Sequence, residues 1–143
     1  MRFHSLSHEH EWQWFKDRTH TIKCEDAQGL VVYDKNNDIQ AMCVADSFTG
    51  NSCNVHFAIE NPMVLRHGFF EEVAEHTFCR NECKQIFGLV PSNNEKALKL
   101  DKHIGFSEIA RIPDAIADGV DTVVMRLKKA DCRWLREELR EAS

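Results

Sequence analysis

VPSNNEKALKLDKHIGF, residues 90–106, decides how the rest of the chain is read. Ser92 and Glu95 form the S-x-x-E pattern of a capping box, which predicts a helix starting within residues 93–95 and running to about His103. Gly105 is placed to end that helix in the left-handed conformation, where a missing Cβ removes the steric penalty. The preceding run QIFGLV, residues 85–90, is continuously apolar and suits a strand covered on both faces. Asp101 stands out as an acid among the apolar positions of the helix.

Upstream, Cys53, Val55, Phe57 and Ile59 alternate with Asn54, His56 and Ala58, the pattern of a strand with one packed face. Residues 66–84 carry apolar pairs at 69/70, 73/74 and 77/78 with glutamates between them, which predicts the longest helix. Strand, long helix, strand and helix in succession imply a parallel pair joined by a right-handed crossover. A helix over residues 7–18 with Ser7 as N-cap, and a hairpin turning at KNND (35–38), precede this unit. Two strands, SEIARI (107–112) and TVVMRL (122–127), follow it, separated by a loop with an Asp-Gly turn; a final amphipathic helix spans 130–143. The expected fold class is α/β (α+β): a single domain over residues 1–143 with a mixed central sheet flanked by helices. A ligand in such a sheet sits where the parallel strands diverge, here beside residues 59–68 and 91–94.

The composition fits one globular core: 143 residues, 43% hydrophobic and 29% charged. A net charge of -5 argues against nonspecific binding to nucleic acid or an anionic membrane, since both need surplus Lys and Arg. No apolar run approaches membrane-spanning or signal-peptide length, so the expected location is cytoplasmic, with no membrane partner. The six cysteines are scattered through apparent strands and helices and read as reduced, mostly buried thiols. Cys79 and Cys83 have i,i+4 spacing, but no second Cys/His pair completes a tetrahedral set, so no metal is expected. His4, His8 and His10 read as a solvated face, with His8 and His10 two apart on opposite sides of a helix.

Val90, Asn94, Ala97, Gly105 and Phe106, in that order, resemble the second half of the GNAT superfamily, the acetyl-CoA-dependent N-acetyltransferases. Asp118 to Asp121 (DGVD) and Cys132 to Leu135 (CRWL) further resemble small bacteriophage-encoded members, and the likeness spans about residues 25–135. The resemblance implies a GNAT-type acyl-CoA N-acyltransferase fold with acetyl-CoA as co-substrate. The CoA pyrophosphate would lie against residues 65–70, where Arg66, His67, Gly68 and Phe69 open the long helix and offer unpaired N–H groups. Pantetheine would pair with strand backbone near Ile59, and Asn94 would bond both backbone and cofactor. Lys96, Lys99 and Lys102 are within range of the 3′-phosphate end. The usual glycine-rich loop is reduced: Phe69 and Phe70 stand where small residues are expected.

The implied reaction is direct attack by an amine on the thioester, with one group taking the amine proton and another returning a proton to the thiolate. His56, on the polar side of its strand, and Glu60, at its end, are the candidate bases. Asp101 falls where many GNAT enzymes carry the tyrosine that serves the leaving thiol. An ordinary aspartate is ionised at neutral pH, so the expectation is a carboxylate bonded to backbone donors or paired with Lys or Arg, not a proton donor. The partners implied are an acyl-CoA and an amine, with a homodimer as the candidate assembly. The alternative is a catalytically degenerate binding or virion-associated interaction protein that keeps the fold.

Overall fold

A computed structural model describes residues 1–141 of the chain. Seven strands form one sheet in the order β1-β2-β3-β4-β5-β7-β6. They are β1 (Arg2–Ser5), β2 (Gln28–Tyr33), β3 (Ile39–Asp46), β4 (Ser52–Ile59), β5 (Gln85–Pro91), β6 (Ser107–Ala117) and β7 (Val120–Lys128). Every neighbouring pair is antiparallel except β4 with β5, the crossover pair expected from the strand-helix-strand order.

The strand period of two sorts the core onto two faces. Within β3, Ala41, Cys43 and Ala45 face one side while Met42 and Val44 face the other, all buried. The first side carries the larger core, closed by α2 (Phe69–Ala74) and by α3 (Glu95–Ile104). The second is covered by α1 (Glu9–Thr19), whose Phe15 packs on Val31, Met42, Val44 and Ala58. Cys43, Cys53, Cys83 and Cys132 are all buried.

Several boundaries differ from the sequence expectation for local reasons. β1 was not anticipated: it is a four-residue edge strand with only a bare hint of alternation, paired through Phe3 opposite Val32. α1 is capped at His8 rather than Ser7, because the buried Glu11 carboxylate accepts from the backbone N–H groups of both Ser7 (3.1 Å) and His8 (3.0 Å). His8 therefore lies outside the helix, and its ring stacks on His10 at 5.6 Å instead of pointing away from it.

The expected long helix is three pieces. Asn61 caps a 3-10 turn, Pro62–His67; Gly68 then takes a left-handed φ of 89°, α2 follows, and a π-helical turn completes it over Glu75–Arg80. The apolar pairs recur every four residues, a spacing that rotates about 40° per repeat around a 3.6-residue helix. The widened turn returns Thr77 and Phe78 to the core, and Thr77 Oγ1 donates back to the Val73 carbonyl at 2.9 Å.

The expected capping box at α3 is replaced by another cap. Asn94 Oδ1 accepts from the Ala97 N–H (3.1 Å), while Ser92 Oγ accepts from the Asp121 N–H (2.8 Å) and ties the β5 end to β7. The helix exit is as expected, with Gly105 at φ 121°. β6 continues through most of the expected 113–121 loop and turns at Asp118–Gly119. The terminal helix is confined to α4 (Glu137–Glu141), and residues 142–143 of the expected span lie outside the described residues. Tertiary contacts hold the preceding segment in another shape: Cys132 and Leu135 are buried, and Trp134 Nε1 donates to the Ile104 carbonyl at 2.8 Å.

Candidate functional site

The parallel ladder between β4 and β5 is short. Its register runs only from Ser52 opposite Gln85 to Asn54 opposite Phe87. Beyond it β5 stays paired with β7 through Pro91, and β4 with β3 through Ile59. Residues 55–59 therefore have no ladder partner on the β5 side. The gap opens into a cavity of about 640 Å³ bounded by Phe57, Ile59 and Leu65 on one side and by Asn94, Ala97 and Leu100 on the other. Arg18 and Thr19, at the end of α1, and Glu60, just past β4, close one end. Lys96, Lys99 and His103 add positive or ionisable groups along the α3 wall. The cleft is thus beside residues 59–65 and 94, within the region expected from the topology.

Asp101 overturns its own expectation. Its side chain is 5% exposed, and no described residue hydrogen-bonds or ion-pairs with its carboxylate. Burial alone raises its pKa from 3.8 to about 7. The group beneath it is Gly88 of β5: a Cβ there would stand 3.0 Å from Asp101 Oδ2. Glycine at 88 is what leaves room for the carboxyl group between α3 and the sheet. Asp101 does not itself line the cavity, but Ala97 and Leu100, four residues and one residue before it on α3, do. A buried acid close to half-protonated at neutral pH can donate a proton, which an exposed aspartate cannot.

His56 and Glu60 occupy different settings. His56 Nε2 is 3.0 Å from Oδ2 of Asp46, an acid on β3 that is only 3% exposed. Ser47 donates to the other oxygen of Asp46 at 3.1 Å. Glu60 Oε1 is held by the Arg18 guanidinium, which also lies 3.8 Å from the Trp14 ring centre and donates to the Trp14 carbonyl at 3.0 Å. One oxygen of Glu60 is therefore committed to an ion pair between α1 and the strand end.

Arg66, His67, Gly68 and Phe69 lie off the cavity lining, at the junction between the 3-10 turn and α2. Arg66 and His67 are exposed, whereas the Phe69 ring is wholly inside the core, so only its backbone faces the junction. The α2 start already has an anion. Glu71 curls back to accept from its own N–H, with Oε2 3.4 Å from where a Gly68 Cβ would stand, and partial desolvation raises its pKa. Glu71→Gln removes a negative charge from this helix start and is expected to tighten its binding of an anion such as pyrophosphate several-fold. Titration calorimetry at matched salt checks this; an unchanged or weaker affinity would place the pyrophosphate elsewhere.

Four residues of the site escaped the sequence reading: Asp46, Arg18, Glu71 and Gly88. Two left a usable signal. Asp46 is the one acid in the apolar run AMCVAD, and Gly88 interrupts an otherwise bulky strand, a mark of close approach by another group. Among the described residues no group of three His, Cys, Asp or Glu side chains is placed to hold a metal ion, and no helix is long and apolar enough to cross a membrane.

No protein-family model and no curated protein sequence matches the chain. Solved structures do. Spermidine/spermine N-acetyltransferase SpeG from Vibrio cholerae, in complex with manganese ions, superposes with a TM-score of 0.71 at 12% identity, covering 89% of this chain and 91% of that one. Mutant forms of the same enzyme give a TM-score of 0.72 at 12% identity over 89% and 93%. A dodecameric form of the Vibrio cholerae spermidine N-acetyltransferase gives 0.61 at 15% identity over 73% and 66%. At such identities the likeness is one of architecture, and the chain has the GNAT-type fold, a mixed seven-stranded sheet flanked by helices.

Proposed function

We propose that this protein is an N-acyltransferase that moves an acetyl group from acetyl-CoA to an amine. The observation that carries the reading is the divergence of β4 from β5 after Asn54, which leaves unpaired strand backbone facing a cavity of about 640 Å³. An extended arm bearing amides, such as pantetheine, completes that edge by backbone pairing, with apolar contacts from Phe57, Leu65 and Leu100. Asn94 and Lys96 at the start of α3, with Lys99 one turn on, suit the polar and anionic parts of the donor.

In the reaction the amine nitrogen bonds to the thioester carbonyl carbon, and its proton leaves to a base drawn from His56 and Glu60. The carbon–sulfur bond breaks, and the thiolate takes a proton from Asp101, whose buried carboxyl retains one near pH 7. The acceptor end is the Arg18, Thr19 and Glu60 end of the cavity. The similar spermidine and spermine acetyltransferases support an amine acceptor. A cytoplasmic setting, the bacteriophage-type lineage and a homodimer belong to the same reading.

Acetyl-CoA at 100 times its dissociation constant should raise the folding free energy by about 2.7 kcal/mol, seen as a melting shift of several degrees. A panel of amines that includes spermidine then reports transfer by release of free thiol. No melting shift at millimolar acetyl-CoA would remove the reading. Glu71 favours one rival, a GNAT-fold binding protein without catalysis, because its carboxylate already caps the α2 start. Binding of acetyl-CoA with no acylation of any amine would favour that rival.

A further inference from the structure

We infer that the base for the proposed reaction is Nδ1 of His56, and that Asp46 is the positioning residue that fixes its tautomer. The inference rests on the acyltransferase reading above and adds to it the atom that takes the proton.

Asp46 and His56 lie on adjacent antiparallel strands, with Val44 opposite His56 and Asp46 opposite Asn54. This diagonal brings the carboxylate to the imidazole on the sheet face covered by α1. Asp46 is one of four buried polar or charged residues in the described core, so its oxygens need partners. Ser47, held at a left-handed φ of 55°, supplies one donor, and His56 Nε2 supplies the other at 3.0 Å. A carboxylate only accepts hydrogen bonds, so Nε2 must carry the hydrogen. In the neutral ring the lone pair then sits on Nδ1, and no described residue is bonded to that nitrogen.

The His56 side chain keeps 26% of its surface exposed, so Nδ1 is open to a substrate or a water. Ala58, two residues on and on the same face of β4, lines the cavity. Alternate residues of a strand are roughly 6.6 Å apart, so His56 stands one strand step from the cavity lining and its side chain reaches the amine through water rather than by direct contact. Glu60 lines the cavity, but one oxygen of its carboxylate is committed to the ion pair with Arg18. Apart from His56, the ionisable groups around Asp46 are Cys24 and Asp26, from the segment joining α1 to β2, and Cys53 of β4; the Asp46 and Asp26 carboxylates raise the Cys24 pKa, and burial, with Asp46 adding to it, raises that of Cys53, so both thiols stay neutral. The proton path is then from the attacking amine, through one water, to Nδ1. Asp46 stabilises the imidazolium that forms, and the C–N bond is made as the C–S bond breaks.

The test uses the full chain, with acetyl-CoA binding measured by melting shift in every variant before turnover is compared. His56→Gln should bind acetyl-CoA as the wild type does, hold KM for it, and lose about 10²- to 10⁴-fold in kcat. Asp46→Asn should lose about 10-fold or more and move the acidic limb of the kcat/KM profile to lower pH, with Asp46→Glu recovering part of the rate. Nitrogen NMR of labelled His56 should show the Nε2–H tautomer in the wild type and a mixture in Asp46→Asn. Retention of a third or more of kcat in His56→Gln, or an unmoved pH profile in Asp46→Asn, overturns the inference while leaving the acyltransferase reading intact. A wild type that binds no acetyl-CoA overturns both.

Discussion

Asp101→Asn is expected to yield a protein that is more stable above neutral pH and slower at transfer. The wild-type carboxyl is buried with no described partner, and burial holds its pKa at about 7 against 3.8 in the open chain. Between these values the folded state binds more proton than the unfolded one, so stability falls as pH rises from about 4 to about 7 and is level beyond. At about 1.4 kcal/mol per pH unit the loss is on the order of 4 kcal/mol by pH 8. Asparagine keeps the shape over Gly88 and carries no charge to bury. Some of the gain is offset by the cost of an amide without partners. The melting temperature of Asp101→Asn at pH 8 should exceed that of the wild type by roughly 5–10 °C, and the advantage should vanish near pH 4. Turnover should drop about 100-fold, since the amide has no acidic proton for the thiolate. Wild-type kcat should decline as pH passes 7, and that limb should be missing from the variant. A variant with unchanged turnover would assign Asp101 to structure alone, and unchanged pH-dependence of melting would show that the carboxyl does not titrate where its burial places it.

Phe70→Ala should have the largest effect on folding. Phe70 is 2% exposed, and its ring lies 5.4 Å from Phe57, 5.3 Å from Phe69 and 5.4 Å from Trp134. These rings join four segments: β4, α2, the C-terminal turn and, through the Trp134 bond to the Ile104 carbonyl, α3. Truncation removes the apolar surface of one ring and leaves a void that its rigid neighbours fill poorly, costing about 3–5 kcal/mol. Against a total of roughly 5–15 kcal/mol for a domain of this kind, that lowers the melting temperature by about 10–20 °C. Urea unfolding should show the loss in the midpoint with the slope preserved. Phe57 also walls the cavity, so acetyl-CoA affinity should weaken alongside stability. A cost under about 1 kcal/mol would mean that the four rings do not form the packed unit described.

The boundary of legibility falls between local and nonlocal physics. Apolar alternation in residues 53–59, the apolar run 85–90 and the glycine exit at 105 are local signals, and the parallel pair and α3 follow from them. The Ser92 capping box does not form because Asp121, a residue far along the chain, takes the Ser92 hydroxyl, and Asn94, whose amide was expected to bond backbone at the helix start, is the cap. The terminal helix was overextended because its amphipathic pattern does not reveal that Trp134 will be tethered to Ile104. At the site, Asp101 and His56 were visible as residue types in suggestive places. Their chemistry was not, because it depends on what surrounds them.

The sequence by itself determined the strand and helix order from α1 onward, the mixed sheet with its one parallel crossover, and the place where a ligand cleft would open, because periodicity, caps and glycine sites act over a few residues. Only the tertiary structure decided that Asp101 lies unpaired over Gly88, that His56 is held by Asp46, and that Glu71 turns back onto the α2 start. Burial and hydrogen-bond partnership set the charge of a carboxyl or the open nitrogen of an imidazole, and those partners come from strands and helices distant in the chain.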